Sequence, residues 1–273
     1  MTTVLITGTS SGIGRAAVLR LARRPDLTVY ATARRTETIA DLARAGARVL
    51  PLDVTDETSM KHAVAEIEAA HGQVDVLVNN AGYGEYGPIE EADLDRVRAQ
   101  FETNVFGLAR LTQLVLPGMR RAGRGRIVNV SSMGGRLVFP GGGYYHASKY
   151  AVEAISDALR QEVRPFGIRV SIVEPGLIRT GFGEVAARSL GGTAPQGPYR
   201  EMVAAVDRVM ARSYANPALA ASPDAVAKVI ERAVTARRPR TRYLVTAAAR
   251  AMVHTRRLFG ARAFDAMNRL QFR

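Results

Sequence analysis

Residues 144–149 read YYHASK. On a helix, side chains four apart share a face and those five apart diverge. Lys149 therefore pairs with Tyr145, and Tyr144 is expected to pack or to line the mouth of a site. A free phenol has a pKa of about 10, and nearby positive charge favours the tyrosinate. A shift of ~3 units needs about 4 kcal/mol of differential stabilisation, attainable only in a partly desolvated site. The matching chemistry is proton transfer to the alkoxide left when a hydride reduces a carbonyl, or the reverse. Alone, a Tyr–Lys pair at this spacing is a common helical coincidence, so its meaning depends on its companions.

The stretch TGTSSGIG (7–14) follows an apolar run and opens a helical one. Gly8 allows a sharp turn, Gly12 lets backbone approach a phosphate, and Gly14 lets helix and strand pack closely. The free N–H groups of a helix start then face a pyrophosphate, with Ser10, Ser11 and Ile13 in the same loop. The spacing is G-x-x-x-G-x-G and not the commoner G-x-G-x-x-G, so a plain strand–helix turn stands as the alternative. Dinucleotide folds often place a carboxylate at the end of the second strand, against the ribose hydroxyls. Here that end reads YATARR, with Arg34 and Arg35 and no acid. A guanidinium binds a 2′-phosphate that a carboxylate would repel, so NADP(H) is expected over NAD(H). The alternative is that both arginines are solvated surface charge.

These groups need strands to carry them. VLIT (4–7), LTVYAT (27–32), RVLPLD (48–53), VDVLVNN (74–80), RIVNVSS (126–132) and IRVSIVE (168–174) read as buried strands. Helical stretches fit 13–23, 36–45, the segment from an Asp56 cap to about His71, 93–121 and about 144–164. Strands alternating with helices specify an α/β fold, a Rossmann-like doubly wound parallel sheet with helices on both faces. Ligands in such folds bind at the carboxyl ends of the strands. Residues 177–198, rich in Gly, Ala and Pro, are expected to form a mobile substrate loop over the site. Helices follow at about 200–213 and 223–236, then a short strand at 242–246 and a helical tail at about 247–273. With no linker or repeat in its 273 residues, the chain is expected to be one catalytic domain.

At 47% hydrophobic and 23% charged residues, the composition is that of an ordinary globular chain. There is no cysteine, which excludes disulfides and thiolate metal sites. Four scattered histidines (62, 71, 146, 254) show no ligand spacing, so no metal is expected. No secretory signal is evident at the N-terminus, and no run reaches the ~18 apolar residues of a membrane span, so the cytoplasm is the expected location. The net charge of +13 is uneven. Residues 1–175 carry 21 basic and 19 acidic side chains, and residues 176–273 carry 17 and 6.

Taken together, the motifs identify the chain as resembling the short-chain dehydrogenase/reductase family. The matching residues are TGTSSGIG, Asp53-Val54, NNAG (79–82), Asn104 in FETNVFG, Ser131-Ser132, YHASK (145–149) and PGLIRT (175–180), in order over about residues 3–180. The resemblance implies that Tyr145 is the general acid/base and that Lys149 lowers its pKa and holds the cofactor ribose. Ser132 would bond the substrate oxygen, Ser131 being the lesser candidate, and Asn104 would hold a water linking Lys149 to solvent. Asp53 and Val54 would meet the adenine, while NNAG, Asn79 with Asn80, Ala81 and Gly82, would support the ribose and the central sheet. Pro175, Gly176 and Thr180 would contact the nicotinamide end, and Ser11 would help Arg34 bind a 2′-phosphate. The stretch NNAGYGEYGPIEE, with ATARR, is most similar to the hydroxysteroid and retinol dehydrogenase-like branch, which implies a lipophilic carbonyl or alcohol. A homodimer or homotetramer built on helices is also implied.

Between Arg232 and Arg273 there are 11 basic residues and one acid, Asp265. Apolar residues recur among them at near-helical spacing. Such a tail either packs on the body of the protein or a second subunit, the favoured reading, or lies on an anionic membrane surface. No nucleic-acid motif accompanies the charge, so no nucleic acid is expected. Rival readings are an NADP(H)-sensing regulator without turnover, an epimerase or dehydratase with retained cofactor, and a peripheral membrane protein acting through its tail.

Overall fold

The computed structural model describes residues 1–191 and 197–272. The elements run β1 Thr2–Ile6, α1 Gly12–Leu21, β2 Leu27–Ala33, α2 Ala40–Arg44, β3 Arg48–Pro51, α3 Glu57–His71 and β4 Val76–Asn79. Then come α4 Leu94–Phe101, α5 Leu108–Arg121, β5 Gly125–Val130, α6 Gly143–Glu162, β6 Ile168–Glu174, β7 Leu177–Ile178 and α7 Phe182–Gly191. The chain closes with α8 Arg200–Ala215, β8 Ala220–Ala221, α9 Pro223–Thr235, β9 Arg242–Leu244 and α10 Ala247–Gln271.

Seven strands form one parallel sheet in the order β3-β2-β1-β4-β5-β6-β9. The doubly wound α/β architecture read from the sequence is the one observed. Val4 and Ile6 face one side with Val76 and Val78, against Val18 and Leu21 of α1 and Val226 and Ile230 of α9. Leu5, Leu77 and Ile127 face the other, against Ile67 of α3, Leu111 and Val115 of α5 and Leu159 of α6. This is the period-two alternation of a strand, with both faces covered. Each such side chain contributes roughly 1.5–3 kcal/mol on burial.

Local signals account for several boundaries. The Asp56 carboxylate accepts from the N–H groups of Thr58 (2.8 Å) and Ser59 (3.2 Å), capping α3 as expected. The single helix expected over 93–121 instead contains a π-helical turn, Glu102–Gly107, between α4 and α5. There a Cβ on Gly107 would stand 2.3 Å from the Val54 carbonyl oxygen, so the turn packs directly on the loop after β3.

The expected loop at 177–198 is corrected in part. It begins with β7, which pairs with β8, and continues into α7, where Ala186 and Leu190 are buried. Its Gly and Ala content misled because small residues serve close helix packing as well as loops. Residues 192–196 of that stretch lie outside the described residues, as does Arg273 of the tail. The tail is helical, with a break at Gly260 (φ 74°, ψ −177°). Val253 and Phe264 of α10 are buried with Leu137, and Phe139, Met252 and Met267 pack around them. One face of the tail is thus seated on the body of the protein. Among the described residues no helix is long and apolar enough to cross a membrane.

Candidate active site

The carboxyl ends of β1, β4, β5 and β6 open on a cavity of ≈ 860 Å³. Of the residues singled out from the sequence for catalysis or cofactor binding, all but Gly14, Arg35, Asn79 and Asn104 line it. Gly8 (φ 68°) and Gly12 (φ 55°) hold left-handed backbone conformations that side chains disfavour. A Cβ on Gly14 would lie 2.4 Å from both the Gly8 carbonyl oxygen and Asn80 Nδ2, so this glycine shapes the loop from behind. Ser11 starts α1 without a side-chain cap, leaving the first-turn N–H groups to whatever enters the cavity. The loop is fixed from β4: Asn80 Nδ2 donates to the Thr7 (2.9 Å) and Gly8 (3.0 Å) carbonyls. Thr7 Oγ1 in turn accepts from the N–H groups of Asn80 and Ala81, both at 3.0 Å. This cradle fits a pyrophosphate.

At the end of β2, Arg34 is exposed and borders the cavity, whereas Arg35 does not border it. Among the described residues no carboxylate forms an ion pair with Arg34. The Asp53 carboxylate accepts from the Thr55 N–H (2.9 Å) and hydroxyl (2.8 Å), which holds it at the cavity edge.

Ser132 follows β5, and its Oγ accepts from the Gly134 N–H at 3.0 Å. Tyr145 and Lys149 sit one turn apart on α6, 7% and 6% exposed, facing the same space. Tyr144 is half-buried and is not part of the cavity wall. The Tyr145 ring stacks on Tyr86 (centroids 5.6 Å apart, planes at 29°) and leans on Phe182 (5.2 Å). Burial pushes its phenol up to about 12, opposed by a hydrogen bond with Ser132. The expected lowering by Lys149 is not found in the protein alone, where burial raises the phenol and only Ser132 opposes it. Lys149 Nζ donates to the Val130 carbonyl at 3.0 Å. Burial brings its ammonium down to about 8, with Glu153 one turn further on opposing the fall.

Asn104 lies on the π-helical turn behind this pair. Its Oδ1 accepts from the Tyr83 N–H (3.0 Å), and its Nδ2 donates to the Tyr83 carbonyl (2.8 Å) and Ser148 Oγ (3.0 Å). A Cβ on Gly82 would stand 2.9 Å from Asn104 Oδ1 and 3.6 Å from Lys149 Nζ, so this glycine is the spacer between them. The Asn104 side chain is occupied as a clamp on the 83 loop and α6.

Asn79 does the sheet-supporting work expected of NNAG, but its partners Thr112, Asn129 and Ser156 escaped sequence reasoning. Asn79 Nδ2 donates to Thr112 Oγ1 (3.0 Å) and Asn129 Oδ1 (2.9 Å), and Asn129 Nδ2 donates to Ser156 Oγ (2.8 Å). This buried chain links β4, β5, α5 and α6. Its signal was present: one Asn in each of two apolar strands, and the register pairs Asn79 with Asn129. Tyr86 and Glu153 carried no such signal, because their places depend on tertiary packing.

Comparison with known proteins agrees with this fold. Residues 2–189 match the short chain dehydrogenase family. A 3-ketodihydrosphingosine reductase from Bacteroides thetaiotaomicron is 44% identical over 180 residues, spanning 66% of this chain and 65% of that protein. A Burkholderia phymatum short-chain dehydrogenase/reductase solved with NAD superposes with a TM-score of 0.80 at 26% identity, covering 94% and 93% of the two chains. A metagenomic short-chain oxidoreductase solved with NADP gives 0.69 at 26% identity, covering 90% and 96%. These likenesses support a nicotinamide cofactor for the cavity. The chain belongs to the short-chain dehydrogenase/reductase family of oxidoreductases.

Proposed function

We propose that this protein is an NADP(H)-dependent oxidoreductase interconverting a lipophilic carbonyl compound and its secondary alcohol. The observation that carries the reading is the convergence of Arg34, Ser132, Tyr145 and Lys149 on one cavity whose far wall is apolar, with Phe139, Val206, Met210, Met252 and Phe272. When bound, the nicotinamide supplies or accepts the hydride. Ser132 holds the substrate oxygen, and Tyr145 gives it a proton in reduction or takes one in oxidation. Desolvation sets the phenol at about 12, so its use near neutrality requires added positive charge. The Lys149 ammonium is one source and a cationic nicotinamide ring another. Lys149 would also reach the ribose, and Asn104 would hold a water that links Lys149 to solvent. Gly8, Gly12 and the start of α1 bind the pyrophosphate. Asp53 and Val54 flank the adenine, and Arg34 with Ser11 takes the 2′-phosphate. Pro175, Gly176 and Thr180 border the nicotinamide. The name of the Bacteroides relative specifies a long-chain ketone, which agrees with the apolar wall.

Residues 1–273 act as one catalytic domain in this reading, assembled as a homodimer or homotetramer in the cytoplasm. NADPH consumption should be followed with sphingoid, steroid, retinoid and quinone carbonyls. Turnover of at least one apolar ketone, faster with NADPH than NADH, is expected. Binding of NADPH without turnover of any carbonyl would favour the sensor reading instead.

A further inference from the structure

The face of α10 turned away from the body of the protein has an unusual makeup. At the Gly260 break, Leu258 and Phe259 are 77% and 69% exposed. Arg250, Arg257, Arg262 and Arg269 are exposed along the same helix, against the single acid Asp265. Beside the break lies a shallow cleft of ≈ 360 Å³ lined by Arg136, Arg256 and Arg257 with Val253 and Ala261. Arg136 is paired with buried Glu174 (3.2 Å), and the Arg256 guanidinium lies 5.8 Å from the centroid of the Phe264 ring. Among the described residues no carboxylate forms an ion pair with Arg256 or Arg257. Three guanidiniums round one cleft, beside two bare apolar side chains, combine a phosphate-binding surface with an apolar anchor.

We propose that the kinked C-terminal helix docks on an anionic phospholipid membrane. Arg136, Arg256 and Arg257 hold a lipid phosphate, and Leu258 and Phe259 enter the acyl region. Charge complementarity selects this occupant, since each basic residue near an anionic leaflet adds about 1 kcal/mol of attraction. A second copy of the chain fits less well, because a two-fold contact here would oppose Arg257 and Arg262 to arginines. A nucleic acid would use the arginines but leave the apolar pair in water. The opposite face of α10 carries Met252 and Met267 of the large cavity wall. Docking therefore sets α10 between the membrane and the apolar end of that cavity. The proposal does not depend on the enzymatic reading, because its test measures attachment and its controls measure folding alone.

The experiment is co-sedimentation of the full chain with phosphatidylglycerol-containing and pure phosphatidylcholine vesicles at physiological salt. R256Q/R257Q and L258S/F259S are compared, with unaltered melting and an unaltered far-UV circular dichroism spectrum confirming that each variant is folded. The wild type is expected to pellet with anionic vesicles only. R256Q/R257Q should weaken binding at least about thirtyfold, and L258S/F259S about tenfold or more. A wild type that stays in the supernatant overturns the proposal, as does undiminished pelleting of either variant. Inorganic phosphate that displaces the wild type while L258S/F259S still pellets normally would reveal an anion site alone and also overturn it. Sedimentation of a larger species without vesicles, lost in L258S/F259S, would assign the face to self-association and do the same.

Discussion

Arg34 is the side chain on which the cofactor assignment turns. It borders the cavity unpaired by any carboxylate among the described residues, where a dinucleotide fold selective for NAD commonly has an acid. Charge-assisted bonds to a phosphate contribute roughly 1.5–3 kcal/mol, so Arg34→Asp should cut the NADPH/NADH ratio of kcat/KM by about tenfold to a hundredfold. An unchanged ratio would remove Arg34 from that role. In the proposed mechanism Lys149 sets the pH dependence. Burial lowers its pKa to about 8, so the ammonium is present below that value and lost as pH rises through it. Reductase kcat/KM is accordingly expected to fall on the alkaline side. Glu153 holds the Lys149 pKa up, so E153Q should move that alkaline limb to lower pH, readable in a pH profile. The motif residues were legible because the chemistry needs particular types at particular spacings. The direction of the Tyr145 shift was not, because desolvation by Tyr86 and Phe182 arises only when distant segments pack.

At the scale of elements, α6 is the platform for the reacting groups, and buried bonds hold it to the sheet. Asn129 joins Asn79 on β4 to Ser156 on α6, and Ser156 Oγ donates back to the Val152 carbonyl (2.6 Å). Asn129→Ala strips partners from two buried side chains and should cost about 1–3 kcal/mol, measured by urea denaturation, without changing which cofactor is preferred. A second tie runs through Arg242 of β9, which meets Glu153 (2.9 Å) and Asp157 (2.7 Å) of α6 and Glu174 (3.4 Å) of β6. Through β9 this cluster places the start of α10. Strands β1, β2, β4, β5 and β6 were legible because both faces are buried and they are rich in β-branched residues, whereas the edge strand β3, with Arg48 and Pro51 exposed, showed only a short apolar run. The π-helical turn and α7 were not legible. One depends on Gly107 meeting Val54, and the other on buried contacts made by Ala186 and Leu190.

For the molecule as a whole, cofactor binding and folding are linked. The cradle joins β1, α1 and β4, and the rest of the cavity joins β5, α6 and the segment after β6. NADPH at a hundredfold excess over its Kd should therefore add about 2.7 kcal/mol to stability and raise Tm, and NADH at equal concentration should add less. The uneven charge was visible in the sequence, but the division of α10 into a seated and an exposed face was not, since both carry apolar residues among arginines. The most direct test of the account is Tyr145→Phe, assayed for turnover of an active ketone and for NADPH affinity by titration calorimetry. The ring packing on Tyr86 and Phe182 survives this change and only the hydroxyl is lost. Turnover is predicted to fall by about 10²–10⁴-fold, the usual worth of a positioned acid/base, with NADPH affinity altered by no more than a few-fold. Turnover near that of the wild type, with cofactor still bound, would contradict the assignment of Tyr145 as the proton donor.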